Sequence, residues 1–360
     1  MPQSPLDFAI SWMLRHGSPS LQYRSLVDVA RFDAAREPKL AGLPYSTMQG
    51  LEIAMGQSST GTWSGGLLAV PTGSDVSGVG TIPAYRRLLE LGWDPESPVL
   101  AATRRLLFRL LAEDEDPGHL AEMAAEATDE VLIKRSRTMI REAAAAALAQ
   151  AGYESDPRLR GAAKRLIDRL GVYLKSPLSQ KPWIRIGNQH VLPAEVTAPS
   201  FHLLTMLAHM PYFRSEHYET VERLYHYLAQ PWPRQAAIQQ VGPHLIEQPH
   251  LVLGDFLPTR NTMDADMPSA LAWLEMMARL GYLRRNDGWM RLVERLQDDR
   301  DRHGVWHPPR SVTMPATVPA WSWPIMPLAN RASAEESIGP DVTFRLGLIA
   351  RISGRGVELV

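Results

Sequence analysis

Gln57-Ser-Ser-Thr-Gly61-Thr-Trp63-Ser-Gly65-Gly66 is followed by a glycine turn, Gly78-Val-Gly80, an apolar-periodic run at 82–91, the tight turn Gly92-Trp93-Asp94-Pro95, and a second run at 98–111. In the second run Val99, Thr103, Leu106, Leu107 and Leu110 recur at helical spacing. Ser97-Pro98 reads as an N-cap with proline at the first helical position. The stretch is therefore loop, helix, glycine turn, helix.

The same unit recurs in both directions. Toward the N-terminus, helical patterns at 6–16 and 19–32 flank His16-Gly17-Ser18-Pro19, with Leu21, Leu26, Val29 and Ala30 on one face. A short helix is predicted at 48–55 within a loop-rich stretch at 37–80. Toward the C-terminus, helices are predicted at 129–151 with a partner starting at 156. Further pairs are 200–209 with 216–228 and 267–280 with 287–300, and the last helix is 341–353. Gly17, Gly92, Gly152, Pro211, Gly281 and Gly354 end helices, and glycine suits the position after a helix because positive φ is often required there. Six hairpins joined by long tryptophan- and proline-rich loops predict an all-α fold, an (α/α)6 toroid forming one domain over 1–360. The alternative is an open helical solenoid.

Hydrophobic residues make up 45% of the chain and charged residues 21%, the balance of a globular protein able to bury a core. The net charge of −1 removes the case for a basic nucleic-acid-binding surface. Cysteine is absent, so disulfides and zinc–thiolate sites are excluded. No basic segment leads into an apolar one at Met1-Pro-Gln-Ser-Pro-Leu6, and the alanine run at 143–151 is too short to span a bilayer. A soluble, cytoplasmic protein is the expectation.

Gln57-x3-Gly61-x-Trp63 matches the core of the QW motif of terpenoid cyclases, with Ile53 at that motif's upstream apolar position. Arg300-x3-Gly304-x-Trp306 resembles a degenerate second copy, and 80–92 resembles the helix that follows such motifs in the squalene-cyclase and prenyltransferase repeat. The resemblance implies an α/α toroid in which Gln and Trp tie neighbouring hairpins together. It also points to Asp264-Ala-Asp266-Met267 as the counterpart of the class II acid motif, with Asp266 as proton donor and Asp264 beside it. Met267 stands where that motif ends in Asp. The Asp-Asp-x-x-Asp motif of class I synthases is missing, as is the cysteine needed for a prenyltransferase zinc site.

Two nearby carboxylates raise one pKa and retain a proton, which suits a general acid; the plainer reading makes Asp266 the N-cap of the next helix. Loop aromatics including Trp63, Trp183, Trp306 and Trp323 would line the ring's mouth and hold an apolar ligand, or simply plug it. His202 and His209, with His190 and Glu195 upstream, lack the tight spacing of a metal site, so no metal or other cofactor is expected. Lys181, Arg185, Arg310 and Arg331 are candidates for holding an anionic group, or are solvated surface. The leading expectation is binding or transformation of an isoprenoid or other apolar small molecule. One alternative is a carbohydrate-active (α/α)6 enzyme using Glu195, His202 and Tyr212. The other is a non-catalytic scaffold.

Overall fold

A computed structural model describes residues 4–33, 37–71, 76–111, 130–231, 236–257, 266–307, 318–328 and 334–360. The helices are α1 (Ile10–His16), α2 (Pro19–Arg24), α3 (Pro38–Ala41), α4 (Met48–Met55), α5 (Thr81–Glu90), α6 (Pro98–Leu110) and α7 (Glu130–Gln150). They continue with α8 (Pro157–Lys175), α9 (Phe201–Ala208), α10 (Pro211–Glu216), α11 (Tyr218–Leu228), α12 (Met267–Arg279), α13 (Asp287–Asp298) and α14 (Ala334–Ile352). Six short strands accompany them: β1 (Leu6–Phe8), β2 (Ile184–Ile186), β3 (Gln189–Val191), β4 (Ile238–Val241), β5 (His244–Glu247) and β6 (Val357–Leu359).

The all-α toroid is not what forms. Helix dominates, but three two-stranded sheets stand where the ring model put loops or helix ends. The reason is local. Ile184-Arg185-Ile186 alternates in character and meets Gly187-Asn188, a two-residue hairpin turn with Gly187 at φ 58°. Ile238–Val241 likewise turns back through Gly242-Pro243 to pair with His244–Glu247. β1 pairs in parallel with β6, in register Leu6↔Val357 to Phe8↔Leu359, so residues 6–8 are not the start of a helix. The predicted 19–32 helix also changes character, passing into a π-helical turn at Ser25–Val29.

The chain divides into two compact units, Met1–Thr103 with Arg260–Val360, and Arg104–Thr259. In the first, α12 packs on α14, and α14 on the π-helical turn. Trp273, Trp289, Trp306 and Phe344 are buried at its centre. The Gln57 loop is a structural tie. Gln57 Nε2 donates to Val99 O at 2.8 Å and Thr103 Oγ1 at 2.9 Å, joining the loop to the first turn of α6. Trp63 Nε1 donates to Ile53 O at 2.6 Å, and its backbone N–H to Thr81 Oγ1 at 3.2 Å. Gly61 sits at φ 83°, where an added Cβ would lie 2.9 Å from Ala102 C. The second loop repeats this plan. Arg300 Nη1 donates to Asp7 O at 2.6 Å, Gly304 at φ 80° presses on the same carbonyl, and Trp306 N–H donates to Thr343 Oγ1 at 3.0 Å.

The same unit holds a buried ion network. Arg345, wholly buried, bonds Glu275, Glu90 Oε2 at 3.0 Å and Ile325 O at 2.6 Å. Arg24 joins Glu90 at 2.5 Å to Asp28 at 2.6 Å, and Arg279 pairs with Glu275 at 2.8 Å. Burial opposes ionisation of Glu90, but Arg24, Arg345 and Arg279 outweigh it and hold its carboxyl below the usual range.

In the second unit, α7 and α8 form a hairpin and α9 lies against α7. Ala143 to Ala147 are all buried; small side chains let the two helix backbones approach closely. Asp156 caps α8 by accepting from Arg158 N at 2.9 Å, and Ser200 caps α9 by accepting from Leu203 N at 3.0 Å. The two hairpins meet at Leu192, whose N–H and C=O bond Ile238 O and Gln240 N.

Candidate functional site

The residues expected to share one cavity divide between the two units. Trp63, Trp306 and Trp323 are buried in the core of the first unit, where Trp323 also stacks under the Arg87 guanidinium at 5.3 Å. Trp183 is half-buried in the second unit, ahead of β2. Tyr212, in α10, is 75% exposed, so it lines nothing enclosed. Glu195 is exposed and His202 half-buried on α9. Asp266 occupies the N-cap position of α12, yet its side chain makes no capping bond; Asp264 lies outside the described residues. Lys181 and Arg185 are exposed, and Arg310 and Arg331 fall outside the described residues. Among the described residues no group of three or more histidine and acidic side chains is arranged to hold a metal ion. No helix among them is long and apolar enough to cross a membrane.

A different set of residues does converge. Arg135, Thr138, Met139 and Glu142 from α7, Arg169 from α8, Thr197 and Ala198 from the loop before α9, and His250 with Leu251 after β5 line a cavity of about 20 Å³ that opens to solvent. Such a space takes one small polar group, since about 10–15 Å³ admits a single water. Residues 135, 138, 139 and 142 fall on one face because 3.6 residues make a turn.

The carboxylate of this pocket is already committed. Glu142 pairs with Arg169 and accepts from Ser200 Oγ at 2.6 Å. The Ser200 hydroxyl is thereby used twice, accepting from Leu203 N as the α9 cap while donating to Glu142. Arg135 ends on a neutral partner, donating from Nη2 to Gln239 Oε1 at 2.5 Å. Gln239 is itself fully buried, and its amide donates to Pro193 O at 3.1 Å and Val196 O at 2.8 Å. That arrangement fixes Arg135 against β4 and the 193–196 loop without neutralising it.

The electrostatics follow from this imbalance. Burial, opposed by Glu142 and reinforced by Arg169, lowers the pKa of Arg135, which stays charged at neutral pH. Burial and the Arg135 charge push His250 down to about 4, so the imidazole is neutral at pH 7. The pocket thus carries two guanidiniums against one carboxylate, with an uncharged histidine beside them.

Of these residues only Thr197 and Ala198, beside Glu195, and Glu142, a polar flank of the alanine run, stand near anything the sequence singles out. The pocket residues span more than a hundred positions without a motif. The one local hint is the i, i+3, i+7 spacing of Arg135, Thr138 and Glu142, three polar side chains on one helical face. No protein-family model matches this sequence, no curated protein matches it, and no solved structure matches its fold.

Proposed function

We propose that this protein binds a small anion, or the anionic end of a larger molecule, in the pocket between α7 and α8. The observation that supports this reading is the Arg135 guanidinium, hydrogen-bonded to the neutral Gln239 amide at the wall of a solvent-accessible cavity that holds two arginines and one carboxylate. A half-buried cation short of carboxylate is partly desolvated, and a bound carboxylate or oxyanion offsets that cost through charge-assisted hydrogen bonds. Thr138 and Thr197 add hydroxyl groups around the same space. Isoprenoid chemistry, its carbohydrate-directed alternative and the scaffold reading rest on the sequence resemblance and the expected ring. The anion reading rests on neither.

Thermal unfolding at pH 7.5 with sulfate, phosphate or citrate, against chloride at equal ionic strength, tests it. The polyatomic anions raise Tm in the wild-type protein and lose that effect in Arg135→Gln. Equal responses in both proteins, or no response in either, would remove the reading.

A further inference from the structure

We infer that the pocket is a proton-linked site for a tetrahedral dianion, free or as an ester head group, in which His250 supplies the second positive charge. The inference rests on the anion reading above and specifies its ligand. Among the described residues, the charged groups that line the cavity with the imidazole are Arg135, Glu142 and Arg169. Arg135, whose charge acts on the imidazole, and Glu142 stand on α7 and Arg169 on α8, while among the described residues the α9 side contributes Thr197, Ala198 and the neutral Ser200 hydroxyl that bonds Glu142. With Glu142 committed to Arg169, the pocket offers one net positive charge while His250 is neutral. A monoanion is matched by that charge. A dianion is not, and its second charge is balanced when the adjacent imidazole takes a proton.

The direction of the effect is set by the empty pocket. There Arg135 and burial hold His250 neutral down to about pH 4. A dianion placed between them reverses the local field and draws the imidazole pKa back up. Binding therefore takes up a proton, and affinity rises as pH falls from neutrality toward 5. Imidazolium and guanidinium both present N–H donors, and with the Thr138 and Thr197 hydroxyls around the same space they suit oxygen atoms arranged tetrahedrally.

Inorganic sulfate is the decisive probe because it keeps both charges across this pH range. Titration calorimetry on the full chain at pH 7.5 and 5.0 reads affinity. Repetition at pH 5.5 in buffers of different ionisation enthalpy reads protons taken up. Wild-type protein is expected to bind sulfate about tenfold or more tightly at pH 5.0, with uptake approaching one proton per sulfate. Perchlorate, tetrahedral but singly charged, is expected to show neither effect. His250→Gln, whatever its affinity at pH 7.5, loses both the pH dependence and the uptake. Sulfate binding that is flat with pH, or uptake that persists in His250→Gln, overturns the inference and leaves the anion site standing. Failure of sulfate to bind at either pH overturns both. Phenyl phosphate as a second ligand separates the sources: tighter binding than sulfate points to an ester head, and equal or weaker binding to a free oxyanion.

Discussion

Two clusters of buried charge are built from the same residue types and end differently. In the first unit Arg24, Arg279 and Arg345 find Asp28, Glu90 and Glu275, and the last bonds of Arg345 go to a backbone carbonyl. In that network every arginine meets at least one carboxylate, and Arg345, Glu90 and Glu275 are all buried. In the second unit Glu142 satisfies Arg169, while Arg135 stops at a neutral amide beside a cavity that water can enter. What separates a structural ion network from a ligand-ready one is therefore neither arginine content nor burial. It is whether each cation meets an anion from the chain itself.

The largest effect should come from opening the closed cluster. Arg345→Met leaves Glu90 and Glu275 short of a partner in a dry interior, and is expected to cost about 3–5 kcal/mol in denaturant unfolding. A loss below 1 kcal/mol would mean that the network is far less buried than its geometry indicates.

Acid titration distinguishes the clusters by their sign and window. His250 has a folded pKa below its unfolded value, so the folded state binds fewer protons, and stability falls as pH drops from about 6.5 to about 4. The loss amounts to about 3 kcal/mol at most, and His250→Gln should flatten it. Glu90 and Glu275 are also depressed. Their contribution is full above the ordinary carboxylate pKa of 4.5 and is lost only as pH falls through their folded values. Ligand-free stability measured from pH 7.5 to 3.5 should thus decline in two stages, and Arg345→Met should leave the upper one in place.

Glu142→Gln sharpens the contrast from the other side. It breaks one charged pair whose arginine is 37% exposed and able to turn toward water, so the expected loss is smaller, about 1–3 kcal/mol. With two arginines then unmatched, anion-induced stabilisation should increase. Arg135→Gln is the smallest change in the absence of ligand, about 1 kcal/mol for the lost bond to Gln239, and the most damaging to anion binding. A variant that unfolds as easily as Arg345→Met would place Arg135 among the structural arginines.

The helices were legible because their signals are local. The 48–55 helix, the pairs at 129–151 and 156 onward, and the 267–280 and 287–300 segments stand within a few residues of the spans observed. Gly92, Gly152 and Gly281 end their helices at positive φ. The Gln57–Trp63 motif was legible as a tie between segments, and the atoms it joins belong to the loop, α4 and α6. The hairpin at 184–191 has its own local signal, two isoleucines flanking Arg185 ahead of a Gly-Asn turn.

By itself, then, the amino-acid order determined which segments coil and where glycine stops several of them, since each depends on spacings of a few residues. The three small sheets, the two-unit division and the charged pocket were decided only in three dimensions. Arg135, Arg169, Gln239 and His250 share no local pattern, and their chemistry arises from which neighbour is charged, which is neutral and how much water reaches between them.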